Sequence, residues 1–310
     1  MTTVTDRDTN LSDMATARQT ARRRMLIHAA VVALRPQEWI KNAVVLAPVL
    51  FAGQVDGRTI SRALLAFAGF CAISSAGYLV NDIRDVELDR RHAFKRFRPI
   101  AAGELPIRLA YAMAVALAIL GLGLAFACNA KTAGLLAAYG ALTAAYSYRL
   151  KQLVIIDVMA IAGCFLIRVV AGSAAINVQA SRWLLLCTGF AALFLGFTKR
   201  RQEAMLEAES PRGTRPVLEH YSLPFLDQMV AMVTAGTVIS YAIYATTSPI
   251  AGSNMLATVP MVVYGLFRYL YLVYHREDPR STAALITADP GIRWAAVAWV
   301  VAAALVVYTH

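Results

Sequence analysis

The sequence predicts an all-α, polytopic membrane protein, and three observations lead to that fold class. Hydrophobic residues make up 58% of the 310 residues, and the mean hydropathy is +0.55. Only 16% of the residues are charged, whereas about a quarter are charged in a typical soluble domain. Apolar runs of about twenty residues recur along the chain, which is the length of a membrane-spanning helix. The strands of a β-barrel would instead alternate polar and apolar residues.

The apolar runs predict about nine spanning helices. They lie near residues 39–54, 60–80, 105–127, 132–148, 155–177, 182–198, 226–247, 254–274 and 292–309. Ahead of them, residues 1–20 are expected to be disordered, and residues 22–34 are expected to form a short helix on the membrane surface. We therefore divide the chain into a cytoplasmic arm, residues 1–34, and a transmembrane domain, residues 35–310.

The net charge of +11 is distributed as a membrane topology requires. Lys and Arg concentrate in the N-terminal arm and in the connections after the second, fourth, sixth and eighth predicted spans. The positive-inside rule then places the N terminus and the long loops in the cytoplasm and the C terminus outside, in the inner (plasma) membrane. The excess charge is therefore attributed to topology, and no nucleic-acid partner is expected. The four cysteines lie inside apolar runs without CxxC spacing, so neither disulfides nor a zinc site is expected.

A dense charge cluster, NDIRDVELDRRHAFKRFRPI, follows the second predicted span. If the helix continues into this stretch, at about 100° per residue one amide and three carboxylates fall on one face: Asn81, Asp82, Asp85 and Asp89. Such carboxylates repel one another unless a cation lies among them, and oxygen ligands suit Mg²⁺. The pattern predicts a Mg²⁺ site at Asp82, Asp85 and Asp89. The alternative is that these charges solvate a loop or pair with neighbouring arginines.

The spacing Asn81-Asp82-x-x-Asp85-x-x-x-Asp89 resembles the first aspartate-rich motif of the UbiA superfamily of intramembrane prenyltransferases. YSYRLK, from Tyr146 to Lys151, is similar to the tyrosine-to-lysine element of that family. The resemblance extends from about residue 30 to the C terminus. It implies helices around a cavity open to the cytoplasm, where Mg²⁺ held by the motif binds a diphosphate.

The loop after the sixth predicted span departs from the family pattern. The superfamily has a second aspartate-rich motif there, whereas this chain has Lys199, Arg200 and Arg201, followed by Glu203 and Glu207. Arginine guanidinium groups and lysine ammonium groups bind phosphate oxygens well. The basic residues therefore favour a substrate with an additional phosphate. The alternative is that these cations only flank a span.

Three segments, RPQEWIKNAVVLAPVLFAG, NDIRDVELDRRHAFKRFRPIAAGELP and TKRRQE, look like the phosphoribose-transferring branch of the superfamily. This resemblance implies a Mg-dependent membrane glycosyltransferase. Its reaction would move 5-phosphoribose from phosphoribosyl pyrophosphate to a polyprenyl (decaprenyl) phosphate and release pyrophosphate. That is the first committed step towards decaprenylphosphoryl arabinose for cell-wall arabinan. Membrane lipid is a further expected partner, and we expect a homo-oligomer.

The chemistry requires cations that position two polyanions. The lipid phosphate is already an anion, so no general base is needed. We expect catalytic roles for Asp82, Asp85 and Lys41. The candidate substrate-binding residues are Asn81, Lys41, Tyr146, Arg149, Lys151, Asp157, Arg168, Lys199, Arg200, Arg201 and Glu203.

Several of these residues have a second interpretation. Lys41 could be an interfacial anchor, and Arg168, inside the fifth predicted span, could meet either the lipid phosphate or a structural partner. Asp157 could contact ribose hydroxyls or pair with an arginine. The loop between the sixth and seventh spans is a candidate lid, with Arg215 and Tyr221 as its expected contacts.

Other functions fit the sequence less well. A prenyltransferase that joins a prenyl diphosphate to an aromatic acceptor shares the first motif, but it would be expected to have the second acidic cluster. A CDP-alcohol phosphotransferase would need a DGxxAR core, which this sequence lacks. Transporters place their polar sites near the bilayer midplane, whereas most charges here gather at the cytoplasmic ends of the predicted spans.

Overall fold

The structure is a computed structural model that describes residues 20, 23–50, 56–92, 94–209, 216–247, 252–275, 285–286 and 288–308. These residues are mostly helical and contain no β-strand, which confirms the all-α class. The α-helices are α1 (23–34), α2 (Ala47–Leu50), α3 (Gly57–Arg84), α4 (Val86–Arg91), α5 (Ile107–Cys128), α6 (Ala130–Tyr148), α7 (Ile156–Ala175), α8 (Arg182–Glu209), α9 (Leu223–Thr247), α10 (Val259–His275) and α11 (Pro290–Tyr308). Short 3₁₀ helices cover Pro36–Leu46, Lys95–Phe97, Leu150–Gln152, Pro216–His220 and Gly252–Thr258.

Seven helical stretches within the described residues are long and apolar enough to cross a membrane. They correspond to α3, α5, α7, α8, α9, the stretch Asn254–His275 that contains α10, and α11. The protein is therefore a multi-pass membrane protein, but the predicted count of nine spans is not confirmed. Helix α6 is not among the seven. Within the described part of the first predicted span, residues 39–50, the chain is a 3₁₀ helix up to Leu46 and an α-helix in α2, and residues 51–54 lie outside the described residues.

Some expectations remain untested. Residues 1–19 and Arg215 lie outside the described residues, so the expected disorder and one expected lid contact cannot be compared with the structure. Residues 23–34 are helical where a helix was predicted. The location of that helix on the membrane surface and the division of the chain after residue 34 stay predictions.

The chain forms two compact units, and the division falls inside α3 and α5. The first unit comprises Met1–Pro36 and Ala72–Ile119, and the second comprises Gln37–Cys71 and Leu120–His310. In the first unit, α1 places its small residues, Ala29 among them, against a core that includes Leu79.

In the second unit the long helices pack in the order of the chain. Helices α6 and α7, α7 and α8, and α8 and α9 are neighbours, and α10 packs with α11. The start of α6 is capped by Asn129, whose side chain accepts a hydrogen bond from the backbone nitrogen of Thr132 at 2.8 Å. Short connections between antiparallel helices explain this sequential packing. The order of the helices therefore brings the end of α6, the start of α7 and the C-terminal half of α8 close together.

Candidate active site

The predicted aspartate motif lies at the end of α3, where the helix does not continue as one regular element. Helix α3 ends at Arg84, and Asp85 forms a turn with φ −91° and ψ 9° before α4 begins. The i-to-i−4 spacing is still kept, since the Asp85 nitrogen donates to the Asn81 carbonyl oxygen at 2.9 Å and the Asp89 nitrogen to the Asp85 carbonyl oxygen at 2.8 Å. The sequence argument of a continuous helix therefore holds approximately, with a break at Asp85.

Two of the three aspartates, Asp82 and Asp89, share the cation of Arg98. We call Asp82, Asp85, Asp89, Arg35 and Arg98 the aspartate cluster. Arg35 Nη2 donates to both oxygens of Asp82, at 2.6 and 2.8 Å. Arg98 Nη1 lies 3.1 Å from Asp82 Oδ1 and 2.6 Å from Asp89 Oδ2. Asp82 and Asp89 are each only 3% exposed, so these arginines compensate two buried carboxylates.

Asp85 does not join this pair in the way the one-face argument predicted. Its Oδ1 accepts a hydrogen bond from Arg84 Nε at 2.9 Å, and Arg84 Nη2 also lies 3.4 Å from Asn81 Oδ1. Asp85 stands at the turn that interrupts the helix, next to Arg84, the last residue of α3. The third acid of the motif therefore pairs with a neighbouring arginine.

The donor set of the aspartate cluster fits Mg²⁺. Among the described residues no group of three or more His, Cys, Asp or Glu is placed to hold a metal ion. Asp82 and Asp89 nevertheless converge on one cationic nitrogen of Arg98. Mg²⁺ is usually held in proteins by one or two carboxylates, with water and substrate phosphates completing its shell. Two convergent carboxylates satisfy this requirement, and Asp85 as a third ligand stays a prediction.

The basic cluster after the sixth predicted span lies on α8 and is divided between a buried and a partly exposed arginine. Arg200 is completely buried. Its Nε donates to Asp157 Oδ2 at 2.5 Å, its Nη2 donates to the Tyr146 hydroxyl at 3.0 Å, and its Nη1 pairs with Glu203. With Tyr221 these four residues form what we call the buried arginine network. It joins the start of α7, the end of α6 and the middle of α8.

Tyr221 completes this network from the segment between α8 and α9. Its hydroxyl donates to Asp157 Oδ1 at 2.7 Å and accepts from the backbone nitrogen of Ile155 at 2.7 Å. Burial raises the pKa of this hydroxyl, and the hydrogen bond to Asp157 raises it further, although the bond from Ile155 opposes the shift. Tyr221 therefore stays protonated and stabilises Asp157 as a donor. Ile155 itself has φ 69°, a left-handed conformation that a β-branched residue rarely adopts.

The neighbours of Arg200 make different contacts. Arg201 Nε donates to Asp227 Oδ1 at 2.5 Å, and its guanidinium lies 3.6 Å from the ring centroid of Tyr274. Lys199 Nζ is 3.9 Å from Glu203 Oε1, with the lysine side chain 40% exposed. Of the three cations, Lys199 is thus the most accessible to an anionic ligand.

The remaining predicted site residues lie on the first segment and on the connection between α6 and α7. Lys41, in the 3₁₀ helix Pro36–Leu46, forms an ion pair with Glu38. Arg149 ends α6 and is exposed, and Lys151 lies in the next 3₁₀ helix, partly buried. Tyr146 belongs to the buried arginine network. Of the predicted residues in the tyrosine-to-lysine element, Tyr146 and Lys151 are therefore partly buried and Arg149 is exposed.

Arg168 has structural partners within α7 and its surroundings. Its Nε donates to Asn42 Oδ1 at 2.8 Å, and its Nη2 donates to the Tyr139 hydroxyl at 2.8 Å. Its guanidinium also lies 4.5 Å from the Tyr139 ring centroid. Within the described residues Arg168 forms no salt bridge with a carboxylate. Of the two interpretations of Arg168, the structure displays the contact with structural partners, whereas a contact with lipid phosphate stays a prediction.

We expect Arg168→Lys to destabilise the protein by about 1–3 kcal/mol, the cost of leaving a buried polar group unsatisfied. A lysine has one ammonium nitrogen and cannot replace the two guanidinium nitrogens that donate to Asn42 and Tyr139. The measurement is thermal unfolding of the purified protein in detergent. Tyr139→Phe serves as the matched control, because it removes one hydrogen bond of Arg168 and keeps the ring, and its effect should be smaller. A Lys variant as stable as the parent would show that the charge alone matters at this position.

Four residues contact the predicted site residues but were not themselves predicted. Arg35 and Arg98 belong to the aspartate cluster, and Asn42 and Tyr139 contact Arg168. Both arginines counted only as positive flanks of spans. One signal does set them apart, since each precedes a proline, Arg35-Pro36 and Arg98-Pro99. Proline restricts the backbone of the residue before it, and Arg98 accordingly has extended backbone, φ −64° and ψ 141°. Arg35 instead has φ 53°, in the left-handed region, so this restriction accounts for the backbone of Arg98 alone.

Comparisons with known proteins identify the family of this chain. The UbiA prenyltransferase family profile matches residues 43–297. The decaprenyl-phosphate phosphoribosyltransferase of Corynebacterium glutamicum is 36% identical over 293 residues, covering 91% of this chain and 88% of the relative. The enzyme of the same name from Mycobacterium tuberculosis (strain H37Rv) is 36% identical over 225 residues, 71% of this chain and 74% of the relative.

Solved structures support the same fold. A UbiA homologue from Archaeoglobus fulgidus bound to GPP and Mg²⁺ superposes with a TM-score of 0.70 at 18% identity, over 91% of this chain and all (100%) of that one. The predicted family resemblance is confirmed by these matches together. The chain belongs to the UbiA prenyltransferase family.

Proposed function

We propose that this protein transfers 5-phosphoribose from phosphoribosyl pyrophosphate to decaprenyl phosphate and releases pyrophosphate. The observation that carries the proposal is the 36% identity to a decaprenyl-phosphate phosphoribosyltransferase along 91% of the chain. The cations Lys199, Arg200 and Arg201 support it, because they stand where the superfamily would have a second acidic motif. In a cell wall with arabinan the product would be the precursor of decaprenylphosphoryl arabinose.

The aspartate cluster is the proposed donor site. Asp82 and Asp89, with Asp85, would hold Mg²⁺, which when bound supplies positive charge to the leaving diphosphate, and Asn81 would bind the substrate. The burial of Asp82 and Asp89 supports this role, because charges in a low-dielectric site act more strongly than charges in water. The arriving lipid phosphate is already an anion, so the protein needs no base to activate it.

The basic residues divide into two proposed roles. Lys41, Arg149, Lys151, Lys199 and Arg201 supply positive charge to the phosphates of the two substrates. Arg200 and Arg168 are positioning residues, because protein groups already occupy their nitrogens. The network around Arg200 holds Tyr146, Asp157 and Glu203 in place, so their carboxylate and hydroxyl groups keep a defined geometry when substrates bind.

The proposed orientation follows from the charges. The N terminus, the aspartate cluster and the loop after α8 lie on the cytoplasmic side of the inner membrane, and the C terminus lies outside. The excess of Lys and Arg in these connections supports this assignment. It also places the donor site where a soluble, highly charged nucleotide precursor would reach it. A homo-oligomeric state is part of the same proposal.

The test is product formation by the full-length protein in detergent with Mg²⁺, decaprenyl phosphate and ribose-labelled phosphoribosyl pyrophosphate. We expect a lipid-linked phosphoribose of the correct mass, lost with EDTA. Asp82→Asn should reduce turnover roughly 100-fold or more, the scale of a lost electrostatic contribution to the transition state.

Glu87→Gln is the matched control, because Glu87 is an exposed acid on α4 that pairs with Arg90, and its turnover should be unchanged. A parallel reaction contains a prenyl diphosphate and an aromatic acceptor. If the label stays in the aqueous phase while this second reaction yields a prenylated aromatic product, the protein is a prenyltransferase of the ordinary kind and the proposal is wrong.

A further inference from the structure

The two buried carboxylates of the aspartate cluster are already neutralised by the protein. Asp82 and Asp89 carry two formal negative charges, and Arg35 and Arg98 carry two formal positive charges in direct contact with them. Addition of a divalent cation to such a set leaves an excess of positive charge in a buried place. Unpaired buried charge is costly, so either an arginine must leave the carboxylates or an anion must arrive.

The two arginines differ in how readily each could leave the carboxylates. Arg35 contacts Asp82 alone, and its guanidinium is held 4.8 Å from the ring centroid of Tyr78. Arg98 bridges Asp82 and Asp89 with a single nitrogen. A bridging cation and Arg98 would compete for the same two oxygen atoms. Arg98 also belongs to the connection after α4, outside any membrane-spanning helix.

We propose that Arg98 is the counter-ion with which the metal competes at the aspartate cluster. Without metal Arg98 holds Asp82 and Asp89 together, and it releases them when Mg²⁺ binds, so that its guanidinium becomes free to bind an anionic substrate. Arg98 is thus a positioning residue that keeps the two ligands convergent before the metal arrives. This inference rests on the proposed Mg²⁺ site and adds a role that the site residues predicted from the sequence do not include.

The test is a Mg²⁺ titration of thermal stability, which needs no substrate. Full-length protein in detergent is heated at increasing Mg²⁺ concentrations under constant ionic strength, and unfolding is followed by tryptophan fluorescence. Arg98→Gln removes the competing cation. We expect it to be less stable than the parent without Mg²⁺ and to reach half-maximal stabilisation at a Mg²⁺ concentration roughly tenfold lower, the scale of one charge-assisted hydrogen bond.

Arg96→Gln is the matched control, because Arg96 is an exposed arginine of the same connection that lies against the Phe97 ring. It should titrate like the parent. If Arg98→Gln does not fold without metal, Arg98→Lys keeps a positive charge and should give an intermediate midpoint.

The remaining outcomes would overturn either the role of Arg98 or the proposed metal site. If the Mg²⁺ midpoints of Arg98→Gln and Arg96→Gln are equal, or if that of Arg98→Gln is higher than the parent's, Arg98 does not compete with the metal and the inference fails. If the parent protein itself is not stabilised by Mg²⁺, the proposed metal site fails instead. Product formation, measured separately, tells these two failures apart.

Discussion

Arg200→Met is expected to destabilise the protein by about 3–5 kcal/mol, the cost of removing one partner from a buried ion pair. Arg200 and Asp157 are both completely inaccessible, and the substitution would leave Asp157 and Glu203 without their shared guanidinium. Tyr221 would still donate to Asp157, but a single neutral hydrogen bond cannot compensate a buried carboxylate. The measurement is the free energy of unfolding in mixed detergent micelles, together with the midpoint of thermal unfolding.

Two further variants distinguish the loss of the Arg200–Asp157 ion pair from a general loss of packing. Asp157→Asn combined with Arg200→Met should be less destabilised than the sum of the single variants, because removing both charges avoids an unpaired one. Arg201→Met is the matched control on the same helix. Its partner Asp227 is 43% exposed, so its loss should cost only about 1 kcal/mol. Equal losses for Arg200→Met and Arg201→Met would contradict the assignment of Arg200 to a buried network.

Gly172→Ala is expected to be the most damaging small substitution, with a loss of about 3 kcal/mol or more from overpacking. A Cβ atom at Gly172 would lie 2.0 Å from the carbonyl oxygen of Val45 and 2.9 Å from its carbonyl carbon. Both atoms belong to the backbone, and Val45 is completely buried, so no flexible side chain can move aside. The segment that must shift also carries Lys41 and Asn42, and turnover should fall together with stability.

Gly134→Ala in α6 provides the comparison, because a Cβ there meets no atom within 4 Å. Alanine is a better helix former than glycine, so this variant should be as stable as the parent or more stable by about 0.5–1 kcal/mol. Thermal unfolding of the two variants and the parent is measured side by side. A Gly172→Ala protein with the parent's stability would mean that the 3₁₀ segment does not approach α7 as closely as described.

The fold class and the family could be predicted because both depend on patterns that are local in the chain. Apolar runs identify membrane-spanning helices without reference to any distant residue. The aspartate motif follows from helical periodicity over nine residues, Asn81 to Asp89, and that periodicity largely survives the turn at Asp85. The number of spans was harder to predict. A hydropathy pattern does not distinguish an α-helix from the 3₁₀ helix that Pro36–Leu46 forms.

The partners of the site residues could not be predicted, because they come from distant segments. Arg35 lies 47 residues from Asp82, and Tyr221 lies 64 residues from Asp157. Sequence reasoning assigned the cations of α8 to phosphate binding as a group. The structure separates them, since Arg200 is buried among protein groups while Lys199 is accessible. Only the packing of α6, α7 and α8 distinguishes these neighbours in the chain.

The sequence by itself therefore determined that the chain is an all-α membrane protein of this family with an acidic motif at the end of a spanning helix. These properties follow from composition, hydropathy and the spacing of residues along single helices. Tertiary structure alone decided which cation neutralises each buried acid. It also decided which glycine lets the 3₁₀ helix Pro36–Leu46 approach α7. The physical reason is that counter-ions and close contacts are selected by distance in space, and helical periodicity specifies only the face on which a side chain lies.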